Sequence, residues 1–153
     1  MRQVVFDCDG TLLDTSKYPS TFYPGIKELL LDLATDCQLF VWTARGRDST
    51  LRVLEENGVR HLFEAVVTPD DAPPKPHVRG LQDLVGDSVK ASICVIGDSS
   101  VDMAGARNFG VLAIGAIWNS RAEVGYLREA GADFIVSHPA ECSKLIRSNL
   151  TGN

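Results

Sequence analysis

The stretch Gln3-Val4-Val5-Phe6-Asp7-Cys8-Asp9-Gly10-Thr11 begins as an apolar run of strand length and ends on two carboxylates separated by one residue. Such a run reads as a strand over residues 3–7, and Gly10 lets the chain turn as soon as the strand is over. Further runs of this kind occupy residues 38–42, 65–68, 92–97, 111–115 and 133–136. Between them lie stretches of helical period. Ile26, Leu29, Leu30 and Leu33 form one apolar stripe, and Leu51 and Leu54 begin another that Gly58 ends. Ser120 and Glu123 have the spacing of a capping box, which predicts a helix starting there and stopping at Gly131. Strands alternating with helices predict an α/β fold: a single three-layer Rossmann-like domain over residues 1–153, with a central parallel sheet and helices on both faces.

The 153 residues suffice for one domain that buries roughly 70% of its unfolded surface, with little left for a second. A composition of 44% hydrophobic and 23% charged residues is that of a globular protein rather than a disordered chain. The longest apolar run, residues 111–118, is too short to span a bilayer. The N-terminal apolar stretch ends at Asp7, too early for a secretory leader, so a cytoplasmic location is expected. A net charge of −5 gives no electrostatic reason to bind nucleic acid or an anionic membrane. Cys8, Cys37, Cys94 and Cys142 are scattered without a CxxC pair, and His61, His77 and His138 are equally dispersed, which argues against a zinc cluster.

Open parallel sheets bind ligands beyond the carboxyl ends of their strands, near the point where strand order reverses. The polar residues that follow strands therefore carry the functional reading. Asp7 and Asp9 follow the first strand, Thr43 the second, Lys75 the third, and Asp98 and Asp102 the fourth. Acids converging in a small space repel one another unless a cation neutralises them, and hard oxygen ligands suit magnesium. A magnesium ion and Lys75 together would offset the charge of a phosphoryl group and of Asp7, so that one anion can attack another. Thr43 would hold phosphoryl oxygens. Two aspartates near the reacting atom invite separate roles, nucleophile and general acid. Asp9 is the candidate acid, on the expectation that neighbouring carboxylates crowd it.

These motifs resemble those of phosphatases in the haloacid dehalogenase superfamily, which carry a DxDGT strand end, a later Ser or Thr, a Lys and a GDxxxD strand end. Here they read Asp7-Cys8-Asp9-Gly10-Thr11, Thr43, Lys75 and Gly97-Asp98-Ser99-Ser100-Val101-Asp102. The resemblance implies a magnesium-dependent phosphomonoester hydrolase acting through an aspartyl phosphate. It implies Asp7 as nucleophile and metal ligand, and Asp9 as acid and base with its backbone carbonyl on the metal. Asp98 would be a metal ligand, and Asp102 would support the metal or Lys75. The stretch from Trp118 through Gly131-Ala132-Asp133 to Pro139 is similar to the phosphoglycolate phosphatase branch. That branch carries a helical cap after its first motif, whereas here residues 14–24 leave space only for a short flap or loop. The spacing from Thr43 to Lys75 has no room for the other common cap. The expected protein is therefore capless, its substrate either a phosphorylated metabolite or a larger phosphorylated molecule, and the uncovered site gives a mild reason to expect a homo-oligomer.

Single residues also admit plainer readings. Arg45 and Arg47 suit a solvated surface, although both are also candidate contacts for a second anionic group on a substrate, Arg45 first. Lys17, Tyr18, Phe22 and Tyr23 form a flap over the substrate or pack on the fold. His77 is expected to be local structure, and Cys8, pointing away from its Asp neighbours, to be core. Two alternatives share the residue types. A phosphotransferase uses the same intermediate with an acceptor other than water. A non-enzymatic phospho-receiver also combines acids, Thr and Lys, but places its lysine after the fifth strand rather than the third.

Overall fold

The computed structural model describes residues 1–152. Its elements in chain order are β1 (Arg2–Phe6), β2 (Leu13–Asp14), β3 (Thr21–Phe22), α1 (Ile26–Leu33), β4 (Cys37–Trp42), α2 (Arg47–Glu56) and β5 (Phe63–Val67). They continue with α3 (Arg79–Val85), β6 (Ile93–Gly97), α4 (Ser100–Phe109), β7 (Leu112–Ala116), α5 (Val124–Ala130), β8 (Phe134–Val136) and α6 (Cys142–Asn149). Six of the strands form one parallel sheet in the order β5-β4-β1-β6-β7-β8. The chain moves outward from β1 to β4 and β5, then returns to the other side of β1 for β6. Strand order thus reverses between β1 and β6, and a ligand crevice is expected at their carboxyl ends.

Alternation of side chains along the central strands divides the core in two. Val4 and Phe6 of β1, with Val41 and Ile96, pack under α1, α2 and α6, where Ile26, Leu29, Leu30, Leu33, Leu54 and Ile146 are buried. Val5, Trp42 and Val95 face the other way, against Leu81 and Leu84 of α3, Met103 of α4 and Leu127 of α5. The four-residue stripe of α1 is buried as its period predicts, each side chain contributing roughly 1.5–3 kcal/mol. Both sheet faces are covered, which is why the central strands read as unbroken apolar runs. Cys8 is fully buried in the first of these layers.

No cap domain stands over the sheet among the described residues. Where a cap would be inserted, β2 and β3 form a two-stranded antiparallel hairpin, with Leu13 opposite Phe22 and Asp14 opposite Thr21. Phe22 and Tyr23 pack against the core, while Tyr18 near the tip is fully exposed. The capping box expected at Ser120 is not formed. Asn119 organises a turn there, its Oδ1 accepting from the Arg121 N–H (3.0 Å) and its carbonyl from the Ala122 N–H (3.0 Å). This turn delays the helix to Val124, with Glu123 as its N-cap, and Gly131 ends it in the left-handed region as expected. Among the described residues no helix is long and apolar enough to cross a membrane.

Candidate active site

The ladders of the sheet run directly into the candidate residues. The Asp7 N–H donates to the Ile96 carbonyl at 3.0 Å and the Thr43 N–H to the Val67 carbonyl at 3.1 Å, so both positions are fixed by backbone pairing. Asp7, Asp9, Thr43, Arg45, Lys75 and Asp98 line one cavity of about 190 Å³. A second cavity of about 310 Å³ shares Asp9, Asp98 and Ser99 with the first and extends toward Thr15, Arg121 and Tyr126.

Lys75 is the centre of the charge arrangement. Its ammonium, only 4% exposed, donates to Asp7 Oδ1 at 2.8 Å and to Asp102 Oδ1 at 2.6 Å. Burial works against this charge, but the carboxylates of Asp102 and Asp7 outweigh it and hold the lysine above its ordinary value. Asp7 carries the opposite imbalance. Burial outweighs the pull of Lys75, and together with the adjoining Asp98 it pushes the carboxyl from 3.8 up to about 7. Asp102 is raised too, by burial and by the charge of Asp7. The indole of Trp42 lies beneath the lysine, 5.2 Å from Nζ to the ring centroid. Gly80 of α3 and Gly105 of α4 press on that indole so closely that a Cβ at either position would collide with it.

One oxygen each from Asp7, Asp98 and Asp102 lies within 4.8 Å of the others, an arrangement able to hold a metal ion. With Lys75 among them, the three carboxylates once ionised set three negative charges against one positive charge, and the remaining −2 suits a divalent cation. The Asp98 carboxylate is held from two sides. Thr11 Oγ1 lies 3.2 Å from its Oδ1 and 3.3 Å from Asp7 Oδ2, while Asn119 Nδ2 donates to Asp98 Oδ2 at 2.8 Å. Gly10, at φ 83°, passes so close that a Cβ would strike the Asp98 carboxylate and the Asn119 amide. Asp102 is otherwise engaged as well, its Oδ2 accepting from the backbone N–H (3.2 Å) and hydroxyl (2.8 Å) of Ser99 at the start of α4.

Asp9 stands apart from this cluster. Its side chain is 45% exposed and its Oδ1 accepts from Arg45 Nε at 2.8 Å. The crowding expected around Asp9 falls on Asp7 instead, because the fold buries Asp7 beside Lys75 and Asp98 and sets a guanidinium opposite the half-exposed Asp9. Thr43 is buried, and its Oγ1 accepts the Arg45 N–H at 3.0 Å, leaving the hydroxyl proton free to donate. Arg47 lies away from the site, bound to Asp71 and to the Val66 carbonyl. His77 is local structure, its Nδ1 accepting from the Arg79 N–H. Burial, with the charges of Asp9 and Asp7, pushes the Cys8 thiol up to about 12, so that it stays protonated.

Sequence reading missed Asn119 and gave no site role to Trp118, whose indole N–H donates to the Thr11 carbonyl at 2.8 Å and joins the loop after β7 to the loop after β1. Both follow a strand at the sheet edge already under consideration. Extending the survey of polar residues past the fifth strand of the sheet would have reached them.

Several solved structures share the fold. A haloacid dehalogenase-like hydrolase of Streptococcus pneumoniae superposes with a TM-score of 0.83 at 18% identity, over 95% of this chain and 98% of that one. A chain of Haemophilus somnus described as a predicted phosphoglycolate phosphatase gives 0.82 at 18% identity, over 95% and 97%. A Bacillus subtilis chain solved with magnesium bound gives 0.81 at 13% identity, over 95% and 98%. No curated protein matches the chain by sequence. The family model for haloacid dehalogenase-like hydrolases matches residues 17–116, a span that includes Thr43, Lys75, Asp98 and Asp102 and begins after Asp7 and Asp9. With that match covering most of its length, the chain belongs to the haloacid dehalogenase-like hydrolases.

Proposed function

We propose that the protein is a magnesium-dependent phosphomonoester hydrolase in which Asp7 forms an aspartyl phosphate. The observation that carries this reading is the buried Lys75 ammonium bridging Asp7 and Asp102, beside Asp98, at the point where strand order reverses. Asp7, Asp98 and the Asp9 backbone carbonyl are the groups that would hold the ion, with Asp102 supporting Lys75. A magnesium ion supplies positive charge that keeps Asp7 ionised and offsets the phosphoryl oxygens. Lys75 and the Thr43 hydroxyl bind those oxygens, and Lys75 stays fixed because both of its acid partners are themselves immobile.

In the first step an Asp7 oxygen bonds to phosphorus as the bond to the leaving oxygen breaks, and Asp9 gives that oxygen its proton. In the second step Asp9 takes a proton from water, whose oxygen attacks phosphorus and releases phosphate from Asp7. Asp9 suits both duties because it is half exposed and lines both the cavity holding Asp7 and the larger one beside it. Its acid role requires that Arg45 release it, and an anionic group on a substrate would draw the guanidinium away. The larger cavity beyond Asp9 accepts the leaving group, and the β2–β3 hairpin takes the place of a cap as a short flap.

The test is hydrolysis of p-nitrophenyl phosphate in magnesium. Wild-type protein is expected to turn over, and Asp7→Asn to lose about a thousandfold or more in kcat. Undiminished activity in that variant would remove the nucleophile assignment.

A further inference from the structure

We propose that Asn119 is a positioning residue for the cation seat, orienting Asp98 and tying it to the wall of the larger cavity. The inference rests on the reading of the acid cluster as a metal site. A carboxylate on a free rotor presents its oxygens in many directions. One held at both oxygens presents a single arrangement, and such supporting partners commonly change metal affinity by about 10–100-fold. Asp98 is held at both oxygens, by Thr11 on the side of Asp7 and by the Asn119 amide on the other.

Three further observations single out Asn119. Its side chain is buried, although asparagine following a strand ordinarily serves an exposed turn. Both ends of its amide are used, since Nδ2 donates to Asp98 while Oδ1 accepts from the Arg121 N–H at 3.0 Å. That pairing fixes the amide orientation, because the oxygen cannot face the carboxylate. The neighbouring Trp118 anchors the same loop to Thr11, and Thr11 touches Asp98 from the opposite side, so the two supports of one carboxylate are themselves joined. The chemistry of the donor matters as well. A lysine or arginine at this position would cancel a charge that the cation needs, whereas a neutral amide fixes Asp98 and leaves the cluster at −2. Through Arg121 the same amide sets the edge of the larger cavity, so the seat and the cavity wall share one joint.

The experiment is magnesium and manganese titration calorimetry on the whole chain without substrate, comparing wild type, Asn119→Ala and Gly131→Ala. The last variant places a side chain at φ 115° after α5, outside the acid cluster, and supplies a destabilised protein with an intact cluster. Asn119→Ala is expected to bind either ion about tenfold more weakly, and Gly131→Ala to bind as wild type does. Equal affinity in wild type and Asn119→Ala overturns the inference while leaving the metal reading in place. An equal loss in Gly131→Ala also overturns it, since the effect would then be general loosening. Absence of binding by the wild type overturns the metal reading together with the inference.

Discussion

Asp7 shows how one residue combines two opposing demands. The nucleophile proposed at this position must be ionised, yet burial holds the carboxyl at about 7, against 3.8 in an unfolded chain. Between those values the folded state keeps a proton that the unfolded chain has released. Asp7 therefore contributes stability that is fully present below about pH 4 and lost as pH rises through about 7, amounting to as much as about 4 kcal/mol. Asp7→Asn removes the titration. In urea unfolding with a chelator present, the stability of the variant relative to wild type should rise steadily from pH 4 to pH 7 and level off above it. A difference independent of pH would show that Asp7 ionises normally. At this scale the residue types were legible, because acids, hydroxyl and ammonium each follow a strand. The partners of Asp9 were not, since Arg45 lies 36 positions away and only the fold decides which carboxylate its guanidinium reaches.

The start of α4 shows an element and a site built from one side chain. Asp102 receives both the backbone N–H and the hydroxyl of Ser99 on one oxygen and Lys75 on the other, so helix capping and lysine placement are mechanically linked. Ser99→Ala should cost about 1–3 kcal/mol in chemical unfolding, the usual loss when a buried carboxylate gives up a hydrogen bond. Because Asp102 then turns more freely, phosphate or substrate affinity should fall with it, whereas a helix-only role would leave KM unchanged. The spacing of Ser99 and Asp102 was as visible as that of Ser120 and Glu123, yet only the former pair acts at a helix start. Local spacing cannot separate the two. What decides is Asn119, whose turn displaces the beginning of α5 to Val124. The strands, by contrast, were legible to within two residues, because a sheet covered on both faces demands continuous apolar runs.

At the scale of the whole molecule, the alternation of runs and stripes was enough for the layered architecture, and the brevity of residues 14–24 for the missing cap. The β2–β3 hairpin was not legible, since its two short strands carry no periodic pattern. Nor was the packing beneath Lys75, where Trp42 receives a glycine from each of two helices. A single methyl group added there, as in Gly105→Ala, should lower thermal stability by about 1–3 kcal/mol through overpacking. It should also reduce kcat for p-nitrophenyl phosphate, because the ring it displaces lies beneath the Lys75 ammonium. Normal kcat at reduced stability would show that the ring absorbs the strain. If the strain does pass through, the tolerance of α3 and α4 to sequence drift is set by the reaction centre rather than by the hydrophobic interior. Lineages or designs that enlarge either glycine would then need a smaller ring at position 42 before the ammonium could return to its place.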